Sequence, residues 1–292
     1  MKAKKALFCL ARSASVAVTV AFSVAIAMPS WAVSIFLTGH DPDFHAYVGG
    51  NIPGARKINN VAIDYVMDPA FNTFVAGGIN KFLFVQSQIT PPGGHVNGVN
   101  GIIASGYTLG TDFDLIDASG LNAALDQLGT TYSAIVVASD FGGILTQAEL
   151  DILNARSGDI IDFLNDGGGL YAMAEGNNGA HLTPNGGWFG YLPFITTSTA
   201  LNQSEQGFTV TPFGASLGLT NNDINGNASH NIFNGTFGLN IVDVDANGNI
   251  MSLAGRNLPT PNSVPEPTSA LALLAFGATG GVLLKRKQQH KA

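Results

Sequence analysis

The sequence predicts an α/β fold, a parallel sheet with helices on both faces. Two observations carry that expectation. Short apolar runs of strand length alternate with segments whose apolar residues recur at helical spacing. Turns rich in glycine and asparagine separate them. Strands that read as unbroken apolar runs are those buried on both faces, as parallel strands are. With 292 residues, 46% of them hydrophobic, the chain can bury a full core.

The elements follow in order. Ser34-Ile35-Phe36-Leu37-Thr38, closed by Gly39, reads as a buried strand. From Ala55 to Met67, Ile58, Val61, Ala62, Tyr65 and Val66 form the apolar face of a helix. Lys81 to Val85 is a second strand, and Ser119 to Leu128 forms a helix with Leu121, Leu125 and Leu128 on one side. Ala134 to Ala138 is the clearest strand. Thr146 and Glu149 then match a capping box, in which hydroxyl and carboxylate each take a free N–H at the helix start. That helix runs to about Asn165, with a break at Ser157-Gly158, and Gly167-Gly168-Gly169 leads into a strand at Leu170–Ala174. The second half is glycine- and asparagine-rich, with aromatic patches such as Trp188-Phe189-Gly190-Tyr191, and is expected to pack over the strand ends as loops and short elements. Within it, Ile241-Val242 and Ile250-Met251 flank Asn247-Gly248, the pattern of a C-terminal hairpin.

The order of helix, glycine-rich turn and Gly169-Leu170-Tyr171-Ala172-Met173-Ala174 resembles the class I glutamine-amidotransferase-like fold, including its trehalose-utilisation-protein-like branch, over roughly Ser34 to Gly176. The resemblance implies an amidotransferase/flavodoxin-like sandwich. In that family a nucleophilic cysteine often follows the strand matched here by Leu170–Ala174. This chain has Met173-Ala174-Glu175-Gly176 there, so the resemblance implies a non-thiol use of the fold.

The two ends read as targeting segments. Lys2, Lys4, Lys5 and Arg12 precede an apolar stretch from Ala14 to Met28. Ser30-Trp31-Ala32 then offers a small-x-small cleavage site. Residues 1–32 therefore read as a secretory signal for Sec-type export, with an uncleaved anchor as the alternative. At the other end, Val264-Pro265-Glu266-Pro267 precedes an uncharged run of 17 residues, Thr268 to Leu284, and then Lys285-Arg286-Lys287. As a helix that run would measure about 25 Å, marginal for a bilayer core of about 30 Å, and the basic cluster would remain cytoplasmic. This three-part order resembles the PEP-CTERM sorting signal of Gram-negative bacteria, with Pro265, Glu266 and Pro267 as its motif; a plain tail anchor is the alternative. The resemblance implies processing by an exosortase and delivery to the cell surface or extracellular matrix. Residues 33–260 are then one extracytoplasmic domain and 261–292 the sorting signal.

Charge and cysteine content narrow the function. All 20 acidic residues lie within 33–268 together with five of the 13 basic ones, a balance of −15. Such a field repels phosphate backbones and argues against nucleic acid as a partner. The only cysteine, Cys9, lies in the secretory signal, so the exported chain has no disulfide and no thiol nucleophile. No G-x-S-x-G elbow, phosphate loop or dinucleotide fingerprint is present.

Ligands in open α/β sheets bind beyond the carboxyl ends of the strands. Polar residues concentrate in three such loops, His40-Asp41-Pro42-Asp43-Phe44-His45, Ser139-Asp140-Phe141-Gly142-Gly143, and Glu175-Gly176-Asn177-Asn178 with His181 behind it. Imidazole and carboxylate together suit a divalent metal. His40, Asp41 and His45 are thus candidate metal ligands, with Asp140 and Glu175 as candidate general bases across the crevice. The alternative is that the aspartates cap a turn and the histidines bond to backbone. Asp243-Val244-Asp245-Ala246-Asn247-Gly248 resembles half a calcium loop with Asp243, Asp245 and Asn247 as ligands, but its twelfth position is Ala254 rather than glutamate.

Three functions fit these residues. One is an exosortase-sorted surface or matrix protein whose α/β domain binds, for instance, extracellular polysaccharide, or is structural. The other is a metal-assisted hydrolase acting on carbohydrate or a related small molecule. A metal-free pair of carboxylates acting as a glycosidase is a third.

Overall fold

The computed structural model describes residues 33–88, 97–140, 144–176, 182, 187–201 and 207–256. Both targeting segments, His181 and the Phe141–Gly143 and Asn177–Asn178 stretches lie outside the described residues. The first half alternates strand and helix. Strand β1 (Ser34–Thr38) leads through α1 (Pro42–His45), α2 (Ile52–Val66) and α3 (Thr73–Ala76) to β2 (Phe82–Val85). Then come α4 (Val99–Ala104), β3 (Phe113–Ile116), α5 (Ala118–Leu125), β4 (Ala134–Val137), α6 (Gln147–Ala155), α7 (Ser157–Asn165) and β5 (Gly169–Ala172). The second half contributes β6 (Ser198–Ala200), β7 (Thr209–Val210), α8 (Pro212–Ser216), α9 (Asn221–Ile224), β8 (Asn231–Phe233), β9 (Asn240–Val244) and β10 (Ile250–Arg256).

The ten strands among the described residues join one mixed sheet, ordered β3-β2-β4-β5-β1-β10-β8-β6, with β9 pairing β10 and β7. The first five are parallel. From β10 onward the pairings are antiparallel.

Alternation along the buried strands divides the core in two. Ile35, Leu37, Leu83, Val85, Ile135 and Val137 face Leu121, Leu153, Ile160 and Phe163 of α5 to α7. Phe36, Phe82, Phe84, Val136 and Tyr171 face Ile58, Val61, Ala62 and Val66 of α2, with Ile102 of α4. Successive side chains of a strand point to opposite faces, so an apolar run serves both helical layers. The capping box forms as the residues require, with Glu149 accepting from the Thr146 N–H and hydroxyl. The helix breaks at Arg156, one residue before the expected point.

Two features depart from the sequence expectation. Strand β3 was not legible, because it is an edge strand whose Asp114 interrupts the apolar run. That carboxylate is held by Lys81 at 3.1 Å and the Tyr132 hydroxyl at 3.0 Å. The second half also does not merely lie over the strand ends. Strand β10 pairs with β1 from Ser34↔Arg256 to Thr38↔Ser252 and carries the sheet onward. A strand as buried as β1 needs both backbone edges satisfied, and β5 supplies only one.

Gly39 makes the turn out of β1 possible. Its N–H donates to the Met251 carbonyl at 2.7 Å and its carbonyl accepts from His230 at 2.7 Å. A Cβ there would lie 1.9 Å from the Asn231 carbonyl oxygen. Gly39→Ala is therefore expected to cost more than about 2 kcal/mol in a urea titration. Gly158→Ala on α7, where a Cβ meets nothing within 4 Å, should gain about 0.5–1 kcal/mol.

Candidate functional site

The carboxyl ends of β1, β4 and β5 are stitched together by backbone. The Ala174 N–H donates to the His40 carbonyl at 3.2 Å, and the Asp140 N–H donates to the Ala174 carbonyl at 2.8 Å. With the His230–Gly39 bond, three loops of the parallel half and one from the antiparallel half meet at a single place.

Buried polar side chains converge there. His40, Asp41, Asp43, Asp140, Glu175, His230 and Asp243 are all at most 5% exposed, as is His45. They divide into separate partnerships. His40 Nε2 lies 2.8 Å from Asp243 Oδ2, and its ring meets Phe208 edge-on. Asp41 stands between two imidazoles, with Oδ2 at 3.1 Å from His230 Nε2 and Oδ1 at 3.5 Å from His45 Nε2. Asp43 accepts from the Ser139 N–H at 2.9 Å and hydroxyl at 2.7 Å, and from the Phe44 N–H at 3.0 Å. Glu175 accepts from the Phe189 N–H and the Tyr191 hydroxyl. Phe189 adopts a left-handed φ of 60° to make that contact, a conformation that a bulky residue holds only when its surroundings enforce it.

Electrostatics follow from burial. Asp43 is pushed up to about 6, chiefly by burial, with the Ser139 bonds offsetting part of that and the Asp41 charge adding to it. Glu175 is pushed up to about 8, again chiefly by burial, against the bonds from Tyr191 and Phe189 and with the field of Asp140. Burial works against protonation of His230, yet Asp41, aided by Asp140 and Asp43, raises its pKa. In such a site a carboxyl group held neutral can donate a proton and an imidazole can be kept charged.

The residues singled out from sequence are thus brought to one region but not into one set. His40 turns to Asp243 while Asp41 and His45 pair with each other. Asp140 is close enough to Glu175 for its charge to raise the Glu175 pKa. Asp243 and Asp245 serve different partners. Asp245 accepts from the Asn247 and Asn249 N–H groups at 2.8 Å and closes the hairpin turn. Asn247 contributes its backbone N–H to that turn, and Asp243 is buried against His40. Among the described residues, no three His, Cys, Asp or Glu side chains form a group suited to hold a metal ion. His230 could not have been found from sequence, because it sits in a stretch of Asn, Ser and Gly without periodicity. Ser139 and Asp43 were visible as loop residues, but their partnership spans 96 positions. The clefts of about 410 Å³ at Phe74–Arg156–Asp166 and about 260 Å³ at Trp188–Phe194–Ile195 lie elsewhere.

Residues 263–287 match the family model described as the PEP-CTERM protein-sorting motif. The match supports an exported protein sorted by an exosortase. No curated protein and no solved structure matches the chain. Among the described residues no helix is long and apolar enough to cross a membrane; the run from Thr268 to Leu284 lies outside them.

The site also sets the pH dependence of stability. Asp43, Glu175 and His230 each hold their proton more tightly in the folded chain than in the unfolded one, whose values lie near 3.8, 4.5 and 6.5. Their stabilisation is complete below those values and is lost as pH rises through the folded ones. Among the described residues, Asp117 and Asp245 are shifted down from 3.8, so what they contribute is complete above that value and does not change from about pH 5 upward. Stability should therefore fall between about pH 5 and pH 9 by an amount on the order of a few kcal/mol, read as a falling unfolding midpoint. Glu175→Gln should flatten the upper part of that profile. A midpoint that rises with pH over this range would refute the assignment.

Proposed function

We propose that this exported, exosortase-sorted protein acts at the cell surface or in the extracellular matrix, and that its α/β domain is a binding or structural module rather than an enzyme. The observation that carries this reading is the burial of the candidate bases Asp140 and Glu175 and of the candidate ligands His40, Asp41 and His45. A general base must reach substrate directly or through one water. Here Glu175 is engaged by Tyr191 and Phe189, and His40 by Asp243, behind surfaces that leave each fully buried. Such a network holds loops in place, and each of its members is costly to disturb.

The finer fold reading is an amidotransferase/flavodoxin-like sandwich extended by antiparallel strands. Five parallel strands with helices on both faces support it, while the order β3-β2-β4-β5-β1 departs from the flavodoxin-like 2-1-3-4-5 by placing the first strand beside the fifth. Where that family often carries its cysteine, this chain places Glu175, a side chain tied into the core. Acidity and export suit association with extracellular polysaccharide. Before processing, the apolar run after Pro267 would hold the chain in the membrane.

Thermal unfolding of the exported chain tests the reading. Chelation and the addition of single divalent metals should leave the midpoint unchanged, since only binding to the native state raises it. A rise with one transition metal that is lost in His40→Ala and Asp41→Asn would favour the metal-assisted hydrolase instead. In cells, Glu266→Ala should cause the precursor to accumulate. Unaltered processing of that variant would contradict exosortase sorting.

A further inference from the structure

The described body ends at Arg256, and it ends in a clamp. The guanidinium lies between two rings, 4.0 Å from the centre of Tyr65 and 3.9 Å from that of Phe71. Its Nη2 donates to the Tyr65 carbonyl at 2.7 Å and pairs with Asp68 at 3.1 Å. These partners belong to the last turn of α2 and the segment after it, so the final residue of β10 is tied to the helix that covers the adjacent sheet face. Cation–ring contacts on both sides of a planar guanidinium hold it more firmly than a surface ion pair does.

The register fixes where this clamp sits. Arg256 pairs with Ser34, the first residue of β1, and Ser34 pairs with Gly169, the first of β5. Arg256 thus lies at the pole where the parallel strands begin, and the cluster of His40, His230 and Glu175 lies at the pole where they end. From Arg256 to Pro265 is nine residues, at most about 32 Å of chain. A domain of this size has a radius of gyration of about 17 Å, hence a diameter above about 40 Å. Nine residues cannot carry the motif around the body to the far pole.

We propose that the Arg256 pole is the face turned toward the exosortase, and that the clamp sets the point from which the sorting motif is offered, leaving the His40–Glu175 pole directed away from the membrane during processing. The proposal rests on the exosortase reading above. It assigns an interaction surface, around Ala70, Phe71 and Arg256, to a membrane enzyme.

Absence of cysteine from the exported chain permits a direct test in cells that carry an epitope-tagged exosortase. A short thiol-directed photo-cross-linker would be placed on the full-length precursor, in a Cys9→Ala background, at Ala70→Cys beside the clamp or at Tyr47→Cys on the far pole, both exposed positions. Capture of the tagged enzyme from Ala70→Cys at least several-fold above that from Tyr47→Cys is expected. Inserting about thirty Gly/Ser residues after Asn257 should abolish the difference, because a flexible chain of that length can reach either pole. Equal capture from both positions without the insertion, capture only from Tyr47→Cys, or capture from neither while processing proceeds would each overturn the proposal. Glu266→Ala in the same cells separates the two claims. Normal processing of that variant refutes exosortase sorting itself, whereas blocked processing with equal capture refutes only the polarity.

Discussion

Strand β1 is the joint on which the structure turns. Its five residues are buried; Ser34 to Leu37 pair parallel with β5 on one side, and Ser34 to Thr38 pair antiparallel with β10 on the other. Removing either neighbour would strand a row of buried N–H and C=O groups at a cost that side-chain packing could not offset. The second half of the chain is therefore a structural necessity for the first, and the parallel half has no free edge at β1. The same pairing brings Met251 and Asn231 against Gly39, which only a glycine at that turn allows.

From that joint the polar cluster follows. Asp243 on β9 and His230 before β8 arrive beside His40 and Asp41 because β10 aligns the antiparallel strands with the end of β1. The result is a dense set of carboxyls and imidazoles in a nearly water-free place, where each charge depends on its neighbours. Glu175 and Asp43 keep their protons more readily than free carboxyls do, and His230 keeps its charge under the influence of Asp41. Networks of this kind rarely add stability over an apolar core, yet they specify one arrangement of the loops that contribute to them. The cost falls where the parallel strands end, and the opposite pole is given over to the Arg256 clamp and the exit of the chain.

What was legible in the sequence was local. The strands at Ser34, Lys81, Ala134 and Leu170 read clearly because burial on both faces demands unbroken apolar runs. The Thr146–Glu149 capping box and the Asn247-Gly248 turn are each made by residues only a few positions apart. Strand β3 escaped because Asp114 satisfies an edge, not a core. Strands β6, β7 and β8 escaped because they are only two or three residues long, too short for any period to register. Of the site, the three loops and most of their polar residues were visible. Their partnerships were not, since His40 and Asp243 are 203 positions apart and nothing in either neighbourhood points to the other.

The two halves of the sheet form one cooperative unit joined at β1 and β10. Amide hydrogen exchange at Ile35, Phe36 and Leu37 of β1 and at Leu253 and Ala254 of β10 tests this most directly. All five amides should exchange only through global unfolding, with the same opening free energy and the same response to denaturant. Exchange of the β10 amides through a smaller opening, while those of β1 and β5 stay protected, would mean that the antiparallel half is an appendage, and the account would fail at its joint.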